Sequence, residues 1–274
     1  MSTYLDTIKE TATFLRNHTH RSPEVGIILG SGLGGGLIEQ MNDTIEIAYK
    51  DIPSFPESTV EGHSGKLIFG EYGGKQVVVM AGRFHFYEGY SMQEVTFPVR
   101  VMKLLGVHTL MVSNASGGMN PDYKVGDLML ITDHINLFPE HPLRGRNIAE
   151  LGPRFPDMSE PYSLALIDKA RQVAEQHNIP LRSGVYIGLQ GPTFETRAEY
   201  HYLRCIGGDT VGMSTVPEVI VAIHMSVKVF GISVVTDLGI RDEQNTITHE
   251  EVLEAARIAA PKVALLFREV IKQM

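Results

Sequence analysis

Short apolar, β-branched runs alternate along this chain with longer segments whose apolar residues recur at helical spacing, the pattern of strands interleaved with amphipathic helices. The spacing predicts a first helix over Leu5 to Arg16 and a strand over Val25 to Leu29. Leu67 to Tyr72 and Gln76 to Ala81, joined by Gly73-Gly74, read as a hairpin. Ser91 and Glu94 form a capping box for a helix reaching Leu105, which Pro98 either bends or meets near its first turn. Leu110 to Ser113 and Leu128 to Ile131 read as core strands. Ile135 to Asp157, rich in Pro, Gly and Arg, reads as a long surface loop, and a loop of that length usually has a function or makes an interface. The alternation continues with a helix over Tyr162 to His177, a strand over Gly184 to Gly188 and a helix capped by Thr196 and Glu199. Thr210 to Met213 follows as a short strand, Val219 to Val227 as a helix and Val229 to Thr236 as a β-branched strand. Thr248 with Glu251 caps a final helix.

This order predicts an α/β fold with a central mixed sheet flanked by helices. No linker or low-complexity stretch divides the chain, so residues 1–274 are expected to form one domain. The formal charge of -8 argues against a nucleic-acid surface. The single cysteine, Cys205, excludes an internal disulfide and a thiolate zinc cluster, and is expected to be a small buried hydrophobe. The N-terminus has no secretory pattern and no apolar run approaches the ~20 residues of a membrane span, so a cytoplasmic protein without a membrane partner is expected.

Chemistry gathers where strands end. Gly30-Ser31-Gly32-Leu33-Gly34-Gly35 follows the first strand, and its backbone N–H groups can wrap an anion while the Ser31 hydroxyl adds a donor. Gly30, Gly32 and Gly35 also satisfy the dinucleotide fingerprint, but only a short helix fits after them and the acidic residue is loosely placed, so a tight turn is an equal reading of the glycines alone. If Arg83 to Tyr87 is extended, Arg83, His85 and Tyr87 share one face and Phe84 and Phe86 are buried on the other. A guanidinium, an imidazole and a phenol presented together suit a phosphate beside a sugar. His63 sits between glycines in Glu61-Gly62-His63-Ser64-Gly65, and Asn114-Ala115-Ser116-Gly117-Gly118 offers further backbone donors after a strand. Neither Ser31 nor Ser214 lies in a nucleophile elbow, and no metal-ligand spacing is present.

Together these stretches resemble the trimeric purine nucleoside phosphorylase family. The resemblance runs in collinear order through Leu29 to Gly34, Thr59 to His63, Gly82 to Gly89, Asn114 to Gly118, Gly191-Pro192-Thr193-Phe194-Glu195-Thr196, Gly212 to Glu218 and His249 to Leu253. It implies reversible phosphorolysis of purine nucleosides, with inorganic phosphate as co-substrate, no cofactor and no metal, by a homotrimer acting in purine salvage. By resemblance, Ser31, His63, Arg83, His85, the Ala115 backbone and Ser214 hold phosphate. Tyr87, Met213 and His249 hold the pentose, and Phe194, Glu195, Val211 and Asp237 hold the purine. Glu195, Asp237 and His85 carry the catalytic roles.

Two departures follow from the same comparison. Family members that cover a neighbour's pentose with phenylalanine match Leu151 here, which would serve as an apolar lid. The asparagine beside the purine O6 and N7 is replaced by Asp237, which leaves base preference open. Two rival classes stand beside this reading: a nicotinamide-dependent oxidoreductase built on the glycine loop, and a nucleoside or phosphate binder without catalysis.

Overall fold

The computed structural model describes residues 3–57, 64–240 and 248–274. Seven helices are present among them: α1 (Tyr4–Thr19), α2 (Gly35–Ile38), α3 (Met92–Leu105), α4 (Leu164–Gln176), α5 (Arg197–Cys205), α6 (Val216–His224) and α7 (His249–Lys272). The strands are β1 (Val25–Ile28), β2 (Asn42–Ala48), β3 (Lys66–Tyr72), β4 (Lys75–Ala81), β5 (Thr109–Gly118), β6 (Leu128–Asn136), β7 (Leu181–Gly188), β8 (Thr210–Gly212) and β9 (Lys228–Leu238). They form one mixed sheet in the order β2-β3-β4-β1-β5-β8-β7-β6-β9. β9 also pairs with β5, so the second half of the sheet closes on itself.

That closure positions the site. β4, β1, β5 and β9 run parallel, which brings their C-terminal ends to one edge. Register places Ser116 opposite Val235 and Gly117 opposite Asp237, while antiparallel β8 sets Val211 against Gly117. The segments after β1 and β4 therefore emerge beside Asn114 to Gly117 and Thr236 to Asp237. Gly30 lies so close to β5 that a Cβ there would sit 2.8 Å from the Asn114 Cα and 2.9 Å from the Ser113 carbonyl oxygen. Gly32 turns the chain with φ +75°, a conformation that disfavours other residues.

The short-range signals hold. Thr196 with Glu199, Ser91 with Glu94 and Thr248 with Glu251 make reciprocal capping boxes, and β3 and β4 form the expected hairpin. Five expectations need correction. β5 continues through Asn114 to Gly118 because β9 and β8 pair with it there, although these small residues carry no strand propensity of their own. Pro98 lies inside α3, beyond its first turn. The segment from Arg83 is extended only to His85 and then tightens into a 3₁₀ turn over Phe86–Glu88. Phe84 is buried against Tyr49, Phe55 and Tyr90, whereas Phe86 is half-buried and meets Phe138. Cys205 is exposed, because it ends α5 on the face away from the sheet. Leu151, finally, is 4% exposed and belongs to the core of its own chain.

Candidate active site

The deepest layer of the site is a buried ion pair. Arg83 follows β4 and is 1% exposed, and its Nε stands 3.3 Å from Oε1 of Glu218 on α6, itself 3% exposed. Its Nη1 donates to Ser214 Oγ at 2.7 Å and to Thr215 Oγ1 at 3.1 Å, and its Nη2 to the Ile28 carbonyl at 3.4 Å. One guanidinium thus ties together the ends of β1 and β4 and the start of α6. Thr215 holds φ +70°, a costly conformation for a β-branched residue, which its surroundings enforce. Its hydroxyl also accepts from Asn114 Nδ2 at 2.9 Å, and Ser233 donates to Asn114 Oδ1 at 2.6 Å.

His85 stands beside this layer. Its Nδ1 lies 3.0 Å from Glu88 Oε1, and the same carboxylate accepts the His85 backbone N–H at 2.8 Å. Burial pushes the imidazole below the usual histidine range and Arg83 adds to that, while the hydrogen bond to Glu88 opposes it. A neutral ring that donates from Nδ1 presents Nε2 as its acceptor. The ring stacks on Tyr87 with centroids 4.7 Å apart and planes 15° from parallel.

At the other end a tyrosine joins two carboxylates. The Tyr200 hydroxyl, on α5, donates to Asp237 Oδ2 at 3.3 Å, and Thr236 Oγ1 donates to Asp237 Oδ1 at 3.1 Å. The same hydroxyl proton is shared with Glu195, so the two carboxylates compete for one donor. Burial pushes the Glu195 carboxyl up, against hydrogen bonds from its own backbone and from Tyr200, and the charges of Asp237 and Glu199 push the same way as burial. Burial and both carboxylates raise the Tyr200 phenol far above the usual range, so it remains a donor.

Both clusters open into one cavity. Ser31, Tyr87, Ala115, Phe194, Val211, Met213, Ser214 and His249 line it together with Arg83, His85, Glu195 and Asp237. A family model described as the phosphorylase superfamily matches residues 24–272.

The chain belongs to the phosphorylase superfamily. Purine nucleoside phosphorylase 1 of Bacillus subtilis is 48% identical over 268 residues, covering 98% of each chain. The purine nucleoside phosphorylase of Bos taurus is 52% identical and covers 95% of this chain and 92% of its own. Among solved structures, Schistosoma mansoni purine nucleoside phosphorylase in complex with inosine superimposes with a TM-score of 0.93 at 43% identity, covering 98% of this chain and 97% of that one. The same enzyme in complex with adenosine gives 0.94 at 44% identity and covers 98% of both chains.

Within this phosphorylase fold, every residue expected at the site from sequence lines the cavity except two. His63 lies outside the described residues. Leu151 is buried in its own chain and lines a different cleft, among Tyr4, Arg100 and His224. The exposed apolar residue of that segment is Phe155, 88% accessible, with the Arg154 guanidinium 5.8 Å from its ring centroid. Three residues of the site were not foreseen. Glu88 stands three residues after His85, a capping spacing visible in the sequence. Glu218 and Tyr200 gave no such signal, since only the fold brings them to Arg83 and Asp237. Among the described residues no cluster of His, Cys, Asp or Glu could hold a metal ion.

Proposed function

We propose that this chain is a purine nucleoside phosphorylase, converting a purine (deoxy)ribonucleoside and inorganic phosphate reversibly to free base and pentose 1-phosphate. The observation that carries the reading is one cavity with a buried guanidinium and neutral imidazole at one end and a tyrosine-linked carboxylate pair at the other. The distinction between ends matches the two halves of the reaction. Breaking the glycosidic bond leaves cationic character at the anomeric carbon and negative charge on the base, as in glycoside hydrolysis.

Arg83, Ser31, Ser214, His63 and the Ala115 backbone hold the phosphate where its charge stabilises the developing cation and then captures it, so no covalent enzyme intermediate is needed. His85, neutral and oriented by Glu88, accepts a hydrogen bond from the phosphate hydroxyl through Nε2. Tyr87, Met213 and His249 enclose the pentose. Ionised Glu195 accepts N1–H and the 2-amino group of a 6-oxopurine, and Phe194 and Val211 flank its rings. Asp237 stands on the N7 side of the base and, held by Tyr200 and Thr236, helps fix its orientation. The chemistry requires no cofactor.

The assembly is proposed to be a homotrimer in which Phe155, rather than Leu151, covers the pentose of the neighbouring subunit. Its exposure supports this, since a bare phenyl ring in water gains by burial. A cytoplasmic role in purine salvage goes with this activity. The test is to incubate inosine, guanosine and adenosine separately with and without phosphate and identify the products. Base release with phosphate omitted, or the absence of pentose 1-phosphate, would overturn the reading.

A further inference from the structure

We propose that the cleft between α1, α3, the end of α6 and residues 142–151 is an anion site separate from the reaction cavity, built to take a phosphate group. Its central residue is Arg100 on α3, only 5% exposed. Among the described residues, the side chains that contact this guanidinium are uncharged. Its Nη1 stands 3.5 Å from Nδ1 of His224, it shares a hydrogen bond with the Tyr4 hydroxyl, and its Nε has no hydrogen-bond partner. Among the described residues no carboxylate lies within ion-pair distance of it, in contrast to Arg83 with Glu218.

Among the described residues the surroundings supply no internal counter-charge. His224 Nε2 donates to the Pro153 carbonyl at 3.0 Å, which leaves Nδ1 as acceptor toward Arg100. Burial and the nearby Arg100 charge hold this imidazole below the usual range, so it stays neutral. The Tyr4 hydroxyl donates to the Gln93 carbonyl at 3.0 Å. Glu94, the carboxylate that acts on Tyr4, is committed to the N-cap of α3, where its Oε2 accepts from the Ser91 backbone at 2.8 Å and hydroxyl at 2.7 Å.

Two more cations line the same cleft. Arg144 and Arg146 are exposed, and neither forms an ion pair or side-chain hydrogen bond among the described residues. Three arginines and no carboxylate line this cleft in a chain whose net charge is -8. A buried guanidinium among neutral partners is costly, and an anion that enters removes that cost. Arginines approaching from α3 and from the facing segment suit a tetrahedral dianion, which offers acceptors in several directions, better than a single planar carboxylate.

Equilibrium dialysis of the full chain with labelled inorganic phosphate, and separately with ribose 5-phosphate, tests the proposal and distinguishes a free anion from a phosphomonoester. Wild type should bind two phosphate groups per chain, and Arg83→Ala should retain the one in this cleft. Arg144→Ala/Arg146→Ala, at exposed positions that leave the core intact, should weaken that site about tenfold or more through lost charge-assisted bonds, with the phosphate KM unchanged. Arg100→Met should remove it. A single phosphate abolished by Arg83→Ala overturns the proposal. So does a double variant with unaltered phosphate binding but altered sedimentation, which would assign the cleft to a carboxylate of a second copy. A single phosphate lost only in the double variant would uphold this site and count instead against the reaction cavity as a phosphate site.

Discussion

Replacing Glu218 with glutamine should destabilise the protein and make its stability unusually responsive to phosphate. The side chains of Arg83 and Glu218 are 1% and 3% exposed and 3.3 Å apart, so water screens the pair little. Breaking a buried pair by removing one charge costs about 3–5 kcal/mol. Glutamine keeps the volume and one acceptor oxygen, and Ser214, Thr215 and the Ile28 carbonyl still hold the guanidinium, so the lower end applies. Unfolding entropy of about 2.1 cal/mol/K per residue over 274 residues converts about 3 kcal/mol into a Tm loss of roughly 5 °C. Phosphate bound at Arg83 would restore a counter-charge that the variant lacks. A ligand at about 100 times its Kd stabilises by about 2.7 kcal/mol, so a tighter-binding variant gains more at any fixed concentration. Thermal melts across a phosphate series read both effects. An unchanged Tm without phosphate, or equal phosphate-induced shifts in both proteins, would refute the idea that Glu218 neutralises the phosphate-binding cation.

Other outcomes follow from single contacts. Gly30→Ala drives a Cβ to 2.8 Å from a backbone atom of β5 and should cost about 1–3 kcal/mol while raising the phosphate KM; normal values of both would mean that the loop yields freely. Glu195 must be ionised to accept N1–H, so kcat/KM for inosine should fall as pH drops through its raised pKa, and Tyr200→Phe, which removes a hydrogen bond that lowers this pKa, should move that acid limb to higher pH. Asp237→Asn should lose relative activity on adenosine, whereas unchanged selectivity between inosine and adenosine would remove Asp237 from the base. Burial pushes His134 down to about 4, so below the usual ~6.5 the unfolded chain takes up a proton that the native state refuses, and stability falls with pH. His134→Gln should recover at most about 3 kcal/mol of that loss near pH 4, at about 1.4 kcal/mol per unit; urea unfolding curves with parallel pH dependence in the two proteins would exclude it.

What could be read from the sequence was what neighbouring residues decide together. The capping boxes at Ser91, Thr196 and Thr248 and the Gly73-Gly74 hairpin depend on contacts a few residues apart, and they stand where the pattern put them. The strand character of Asn114 to Gly118 does not, because it comes from β8 and β9 nearly a hundred residues or more away. Arg83 and Glu218 were equally unreadable as a pair. In sequence each is a charged residue beside apolar ones; only the parallel ends of β1 and β4, with α6 packed against them, make them partners. Leu151 shows the limit of matching by position: its side chain is buried in its own chain, and the one that reaches solvent is Phe155, four residues on.

The two ends of the cavity are held differently, and this bears on specificity. The Arg83 end is fixed by contacts from β1, the turn before α6, and α6 itself, including a buried ion pair, so displacing it disturbs several elements at once. The base end depends on a loop after β7, with Phe194 41% exposed, and on one tyrosine hydroxyl linking Glu195 to Asp237. Substitutions among Glu195, Tyr200 and Asp237 change which atoms donate and which accept while leaving the buried pair untouched. On the proposed roles, base preference would shift without loss of phosphate binding. The reverse does not hold, because Asn114 and Thr215, which join the anion end to β5, also set the path of the strand that ends beside Asp237.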